Sequence, residues 1–102
     1  MKFQTPISIN EIASKIDAKL IGDDSLMATG INEIHKVSAG DITFSDVKKY
    51  FDKSIQSAAT IIILNEVVDC PDGKAFLICD KPFEAYNSIC LLYTSPSPRD
   101  RG

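Results

Sequence analysis

Phe44 and Tyr50 bracket the run Phe44-Ser45-Asp46-Val47-Lys48-Lys49-Tyr50, with a lysine pair just before the second ring. Two aromatic faces can hold a flat heterocycle between them, and neighbouring ammonium groups can meet phosphates attached to it. The residues alone leave two readings open. Both rings belong to the core, the commoner use of Phe and Tyr, or both stack on a ligand. Lys48 and Lys49 are equally readable as a solvated face.

Little else in the chain has the pattern of a reactive site. His35 is the single histidine, with no nucleophile and no second metal ligand at a useful spacing, so it reads as a structural or surface residue. Asp23-Asp24 and Asp72-Gly73 read as turns. No GxGxxG or GxxxxGK[ST] phosphate loop occurs. Cys70, Cys79 and Cys90 are odd in number and match no metal motif, and Cys79 reads as a small core residue. No metal and no cofactor is expected.

The elements that must position the two rings follow from periodicity. Ser8 and Glu11 have capping-box spacing, and Ile9, Ile12, Ala13 and Ile16 give the first helix one apolar face. Strands are expected over Ala18–Ile21, Leu26–Ile31, Ile42–Phe44, Ala59–Leu64 and Ala75–Cys79. The Ala59–Leu64 run has the pattern of a strand covered on both faces. Asp46 is the expected N-cap of a helix to about Gln56, buried through Val47, Tyr50, Phe51 and Ile55. Pro71-Asp72-Gly73 makes a turn. Asp80 is expected to cap a last helix that has Pro82 in its first turn and Phe83, Tyr86 and Ile89 on its apolar face. Alternating helices and strands from Ile42 onward predict an α/β sandwich with a mixed, partly parallel sheet and flanking helices.

Composition limits the remaining classes. With 102 residues the chain is one domain at most, and 44% hydrophobic and 25% charged residues are globular values. A net charge of -3 argues against a nucleic-acid binder. No apolar run is long enough to span a bilayer and no signal peptide opens the chain, so a cytoplasmic location is expected.

The end of the chain reads differently. Cys90-Leu91-Leu92-Tyr93-Thr94-Ser95-Pro96-Ser97-Pro98-Arg99-Asp100 is the in-frame product of DNA that resembles a transposase adapter from sequencing libraries. Residues 1–89 are therefore expected to be the natural domain. Residues 90–102 are expected to be a non-native tail, disordered or extending the helix, with the natural gene running on past it.

Taken in order, several segments resemble the N-terminal domain of the UDP-3-O-(3-hydroxyacyl)glucosamine N-acyltransferases of lipid A biosynthesis, the LpxD family. They include Ile9-Asn10-Glu11-Ile12-Ala13, Leu20-Ile21-Gly22-Asp23, Gly30-Ile31-Asn32-Glu33-Ile34, Ala39-Gly40-Asp41-Ile42-Thr43-Phe44 and Lys49-Tyr50. Ser57-Ala58-Ala59-Thr60-Ile61-Ile62-Ile63, Lys74-Ala75-Phe76-Leu77-Ile78 and Pro82-Phe83 continue the likeness. The resemblance implies a fold similar to the uridine-binding N-terminal domains of Mur ligases. It implies that Phe44 and Tyr50 contact a uracil ring, with Lys49 as a polar or phosphate contact. For the full-length parent it implies transfer of a 3-hydroxyacyl chain from acyl carrier protein to UDP-3-O-acylglucosamine, by a homotrimer whose histidine base activates the amine.

Two positions depart from the family pattern. Val47 stands where asparagine is common and Lys48 where proline is common, and a valine side chain cannot hydrogen-bond a base edge. In the family the catalytic histidine lies in a C-terminal β-helix of hexapeptide repeats, and no such repeat occurs here. His35 does not match its motif, so no catalytic residue is assigned and this chain alone is expected to be inactive. The alternatives are a Mur-ligase-like or stand-alone uridine-nucleotide module, or a purely structural domain.

Overall fold

Four consecutive aliphatic residues, Ile61–Leu64, form a strand in which every residue is buried. Its two faces have different covers. Ile61 and Ile63 pack with Ile9, Ile12 and Ile89, while Ile62 and Leu64 pack with Phe51 and Phe76. The period of two in a strand sorts neighbours this way, so a continuous apolar run marks a strand enclosed between layers.

The computed structural model describes residues 2–94, and of the tail expected over 90–102 the part from 95 onward lies outside them. In chain order the elements are β1 (Lys2–Ser8), α1 (Ile9–Lys15), β2 (Lys19–Gly22), β3 (Met27–Ile31) and a 3₁₀ turn (Ile34–Lys36). Then come β4 (Asp41–Ser45), a second 3₁₀ turn (Lys48–Tyr50), α2 (Phe51–Gln56), β5 (Ile61–Leu64), β6 (Ala75–Ile78) and α3 (Pro82–Thr94). One six-stranded sheet has the order β1-β3-β4-β5-β6-β2. The inner strands β3, β4, β5 and β6 run parallel, and β1 and β2 add antiparallel edges. The mixed sheet with flanking helices is the α/β architecture expected, with α1 and α3 on one face and α2 on the other.

β1 is a strand that periodicity did not announce, because Pro6 cannot donate to a ladder. Its edge position tolerates that loss, and its register with β3 shifts between Lys2 and Ile7. Ser8 caps α1 by accepting from the Asn10 N–H at 3.3 Å. Glu11, the expected capping-box partner, instead accepts from the Tyr93 hydroxyl at 2.9 Å. Gly22 ends β2 with φ +98, and a Cβ there would lie 2.6 Å from the Lys74 carbonyl oxygen. Only glycine lets β2 turn this close to β6.

α3 runs through Ile89 to Thr94, and Tyr93 also stacks obliquely on Phe3 at 5.7 Å. Burial and the Glu11 hydrogen bond push the Tyr93 hydroxyl from its ordinary 10.0 up to about 12. The folded state therefore holds this proton more tightly than the unfolded chain. The stabilisation is complete below pH 10 and is lost as the pH rises from about 10 to about 12. Urea titrations in that window should show stability falling with pH, with a shallower fall in Tyr93→Phe.

Thr43 is fully buried in β4, and its hydroxyl has no hydrogen-bond partner among the described residues. A buried hydroxyl without a partner forfeits its hydration for nothing. Thr43→Val should raise stability by about 1 kcal/mol, a rise of about 4–8 °C in thermal midpoint.

Candidate functional site

β4 delivers Phe44 to the mouth of a surface cleft, and the segment after it brings Tyr50 to the same cleft. Ser45 Oγ donates to the Val47 carbonyl at 3.3 Å, and Asn65 Nδ2 donates to the Asp46 carbonyl at 3.2 Å. These bonds accompany extended backbone at Val47, with φ -121 and ψ 119, so no helix begins there. The chain instead makes the 3₁₀ turn and enters α2 only at Phe51, with Tyr50 at the N-cap position and no side-chain cap. Asp46 is thus an exposed loop residue and not the N-cap expected from the sequence.

The 3₁₀ turn has three residues per turn, and it rotates the following side chains away from the α-helical register. Phe51 is buried, but Val47 and Tyr50 are 43% and 48% exposed, which corrects the expected buried side of this segment. Ser54 takes an interior position, and its Oγ donates to the Tyr50 carbonyl at 3.2 Å. Asp80 likewise lies one residue too early to cap α3. The Lys81 carbonyl accepts from the Ala85 N–H at 3.0 Å, leaving Pro82 at the first helical position, where its missing N–H costs nothing.

The cleft has a volume of about 370 Å³. Phe44, Tyr50 and Ile34 are its apolar walls, and Ser45, Asp46, His35, Lys53 and Ser54 complete it. Phe44 is half-buried and braced from behind by Tyr86 and Phe83, with ring centroids at 4.8 and 5.5 Å and planes tilted by 53° and 52°. Phe44 therefore both packs on the core and walls the cleft. Tyr50 belongs to neither core cluster. A second cleft of about 270 Å³, reaching Glu33, Phe83 and Tyr86, shares Ile34, His35 and Phe44 with the first.

The charges around the rings are unevenly placed. The Lys49 ammonium stands over the Tyr50 ring, 5.1 Å from its centroid, and Lys49 does not line the cleft. Lys48 pairs loosely with Glu66 at 3.9 Å on the surface, a contact of little energetic weight. Lys53 does line the cleft. It is three residues beyond Tyr50, a spacing that could have flagged it as a neighbour on the same side. His35 is exposed, as expected, and pairs with Glu33 at 3.4 Å, but its place on the cleft wall had no local signal.

The other chemical candidates resolve simply. Asp23 accepts from the Ser25 N–H at 2.9 Å and the Ser25 hydroxyl at 2.5 Å, bonds that hold its carboxyl below the usual range and make the turn expected. Burial pushes the Cys70, Cys79 and Cys90 thiols up, away from the reactive thiolate form. Among the described residues no group of three His, Cys, Asp or Glu side chains could hold a metal ion. No helix among them is long and apolar enough to cross a membrane.

Fold and cleft together define an α/β domain with an aromatic-walled surface site formed at a strand-to-helix junction. The family model of UDP-3-O-(3-hydroxymyristoyl) glucosamine N-acyltransferase, LpxD, matches residues 26–92, which include every residue lining the cleft, and the chain belongs to that family. It is 30% identical to the UDP-3-O-acylglucosamine N-acyltransferase of Syntrophotalea carbinolica over 93% of this chain and 27% of the relative. The enzymes of the same name from Parvibaculum lavamentivorans and Campylobacter concisus are 29% and 28% identical, over 86% and 88% of this chain. The chain spans only 26% and 29% of those two relatives.

Proposed function

We propose that this chain is the uridine-nucleotide-binding domain of an N-acyltransferase of lipid A biosynthesis. The observation that carries the proposal is the meeting of Phe44 and Tyr50 in one cleft. Phe44 is held rigid by the rings behind it, and Tyr50 has a half-exposed face to offer. A uracil between them would stack at little entropic cost to the protein, because one wall is already fixed. Lys53 within the cleft and Lys49 beyond the Tyr50 ring are the cations available to the phosphates. The domain's part in the reaction is positioning: it holds the nucleotide so that the sugar amine is presented elsewhere.

The proposal extends to the larger protein. Its substrate is a UDP-3-O-acylglucosamine, its acyl donor is acyl carrier protein, its assembly is a homotrimer, and it works in the cytoplasm. The fold is proposed to be that of Mur ligase N-terminal domains, with residues 1–89 as the natural domain and a non-native tail from Cys90. Nucleic acid is not a proposed partner of a chain with net charge -3.

Calorimetric titration with UMP, UDP-N-acetylglucosamine and uridine tests the binding claim. UMP and the nucleotide sugar should bind more tightly than uridine, with the difference shrinking as salt rises. Absent binding of all three would leave the structural-domain alternative, and equal binding would remove the lysines' part in the site. The purified chain should show no acyl transfer from an acyl-carrier thioester, and measurable turnover would place catalytic groups within it.

A further inference from the structure

We infer that Asp46 is the residue of the cleft that selects for the base, by accepting a hydrogen bond from the imide N3–H of a uracil. The inference rests on the proposed stacking of a uracil between Phe44 and Tyr50. It starts from which polar groups of the cleft are already committed. The Ser54 hydroxyl donates to the Tyr50 carbonyl and the Ser45 hydroxyl donates to the Val47 carbonyl. His35 is paired with Glu33. The charged groups left on the wall are Asp46 and Lys53. One is an acceptor only and the other a donor only.

A pyrimidine nucleotide presents complementary groups at its two ends. The anionic phosphate matches Lys53, and the donor on the base edge matches Asp46. Asp46 is two residues from Phe44 on the turn leaving β4, and it lines the cleft together with Phe44 and Tyr50. Its backbone is held by the 3.2 Å bond from Asn65 Nδ2, which limits how far the side chain can wander. Val47, the next residue, does not line the cleft and has no hydrogen-bonding side chain. Reading of the base edge therefore falls to Asp46.

Three probes separate the outcomes: UMP, N3-methyl-UMP, which lacks the imide donor, and 2′-deoxy-UMP, which lacks one ribose hydroxyl. Each is titrated into the full chain and into Asp46→Ala at pH 7 and followed by calorimetry. The wild-type chain should prefer UMP over N3-methyl-UMP by about tenfold or more, as expected for a hydrogen bond to a charged acceptor. Asp46→Ala should bring that ratio to within about threefold, and 2′-deoxy-UMP should match UMP in both proteins. Asp46 is exposed, and an unchanged amide NMR spectrum would confirm that the variant folds. A methyl penalty that is the same with and without Asp46 overturns the inference. So does a deoxy penalty that vanishes in the variant, which would assign Asp46 to the ribose. If UMP fails to bind the wild-type chain at all, the stacking proposal itself has failed.

Discussion

Tyr50→Ala lowers the affinity for UMP by about ten- to a hundredfold and leaves the thermal midpoint almost unmoved. Base–aromatic stacking contributes about 1–3 kcal/mol per base, and each 1.4 kcal/mol is tenfold in affinity. Tyr50 is 48% exposed and outside both core clusters, so its removal takes little from the fold. Phe44→Ala is the informative contrast. Phe44 touches Tyr86 and Phe83, and its loss should cost both binding and about 3 kcal/mol or more of stability. Paired measurements of UMP affinity and thermal midpoint check both substitutions. A Tyr50→Ala protein that binds UMP like the wild type would remove one of the two proposed faces.

Lys74→Met should be strongly destabilising. The Lys74 ammonium donates to the carbonyls of Ile55, Ser57 and Ala59 at 2.6, 2.6 and 2.8 Å. All three of its protons are thus used where α2 ends, a place that favours a cation. Methionine keeps most of the apolar stem and leaves three carbonyls without their donor. The expected loss is about 2–4 kcal/mol, or about 10–20 °C in thermal midpoint. Lys74→Arg should recover little of it, because a planar fork cannot aim three donors at one convergent set of carbonyls. Thermal and urea unfolding of both variants check this. The substitution reaches the cleft indirectly, since α2 carries Ser54 and Lys53.

What could be read from the sequence and what could not differ in range. The buried strand Ile61–Leu64 was legible because its signal lies within four residues. So were the first turn of α3, marked by Pro82, and the turn at Asp23. The cap at Asp46 was misread because a side chain 19 residues away, Asn65, holds that loop. Lys74 was invisible for the same reason, since its partners are 15 to 19 residues distant. Asp41, which accepts from Asn32 Nδ2 at 2.9 Å and the Ser38 N–H at 3.0 Å, fixes the entry to β4 through contacts no periodicity encodes.

In the cleft, the aromatic pair was visible as types at a spacing, but residues alone could not divide core from site. In the fold Phe44 is braced by Phe83 and Tyr86, and Tyr50 stays outside the core. The departure at Val47 also takes on a different weight. Val47 does not line the cleft, while Asp46 beside it does.

NMR titration of the full chain with UMP, following the Tyr50 and Phe44 ring protons, tests the central claim most directly. Stacking places each ring in the shielding region of the base, so both sets of signals should move upfield and saturate together as UMP is added. Rings that stay unperturbed at millimolar UMP would contradict the account.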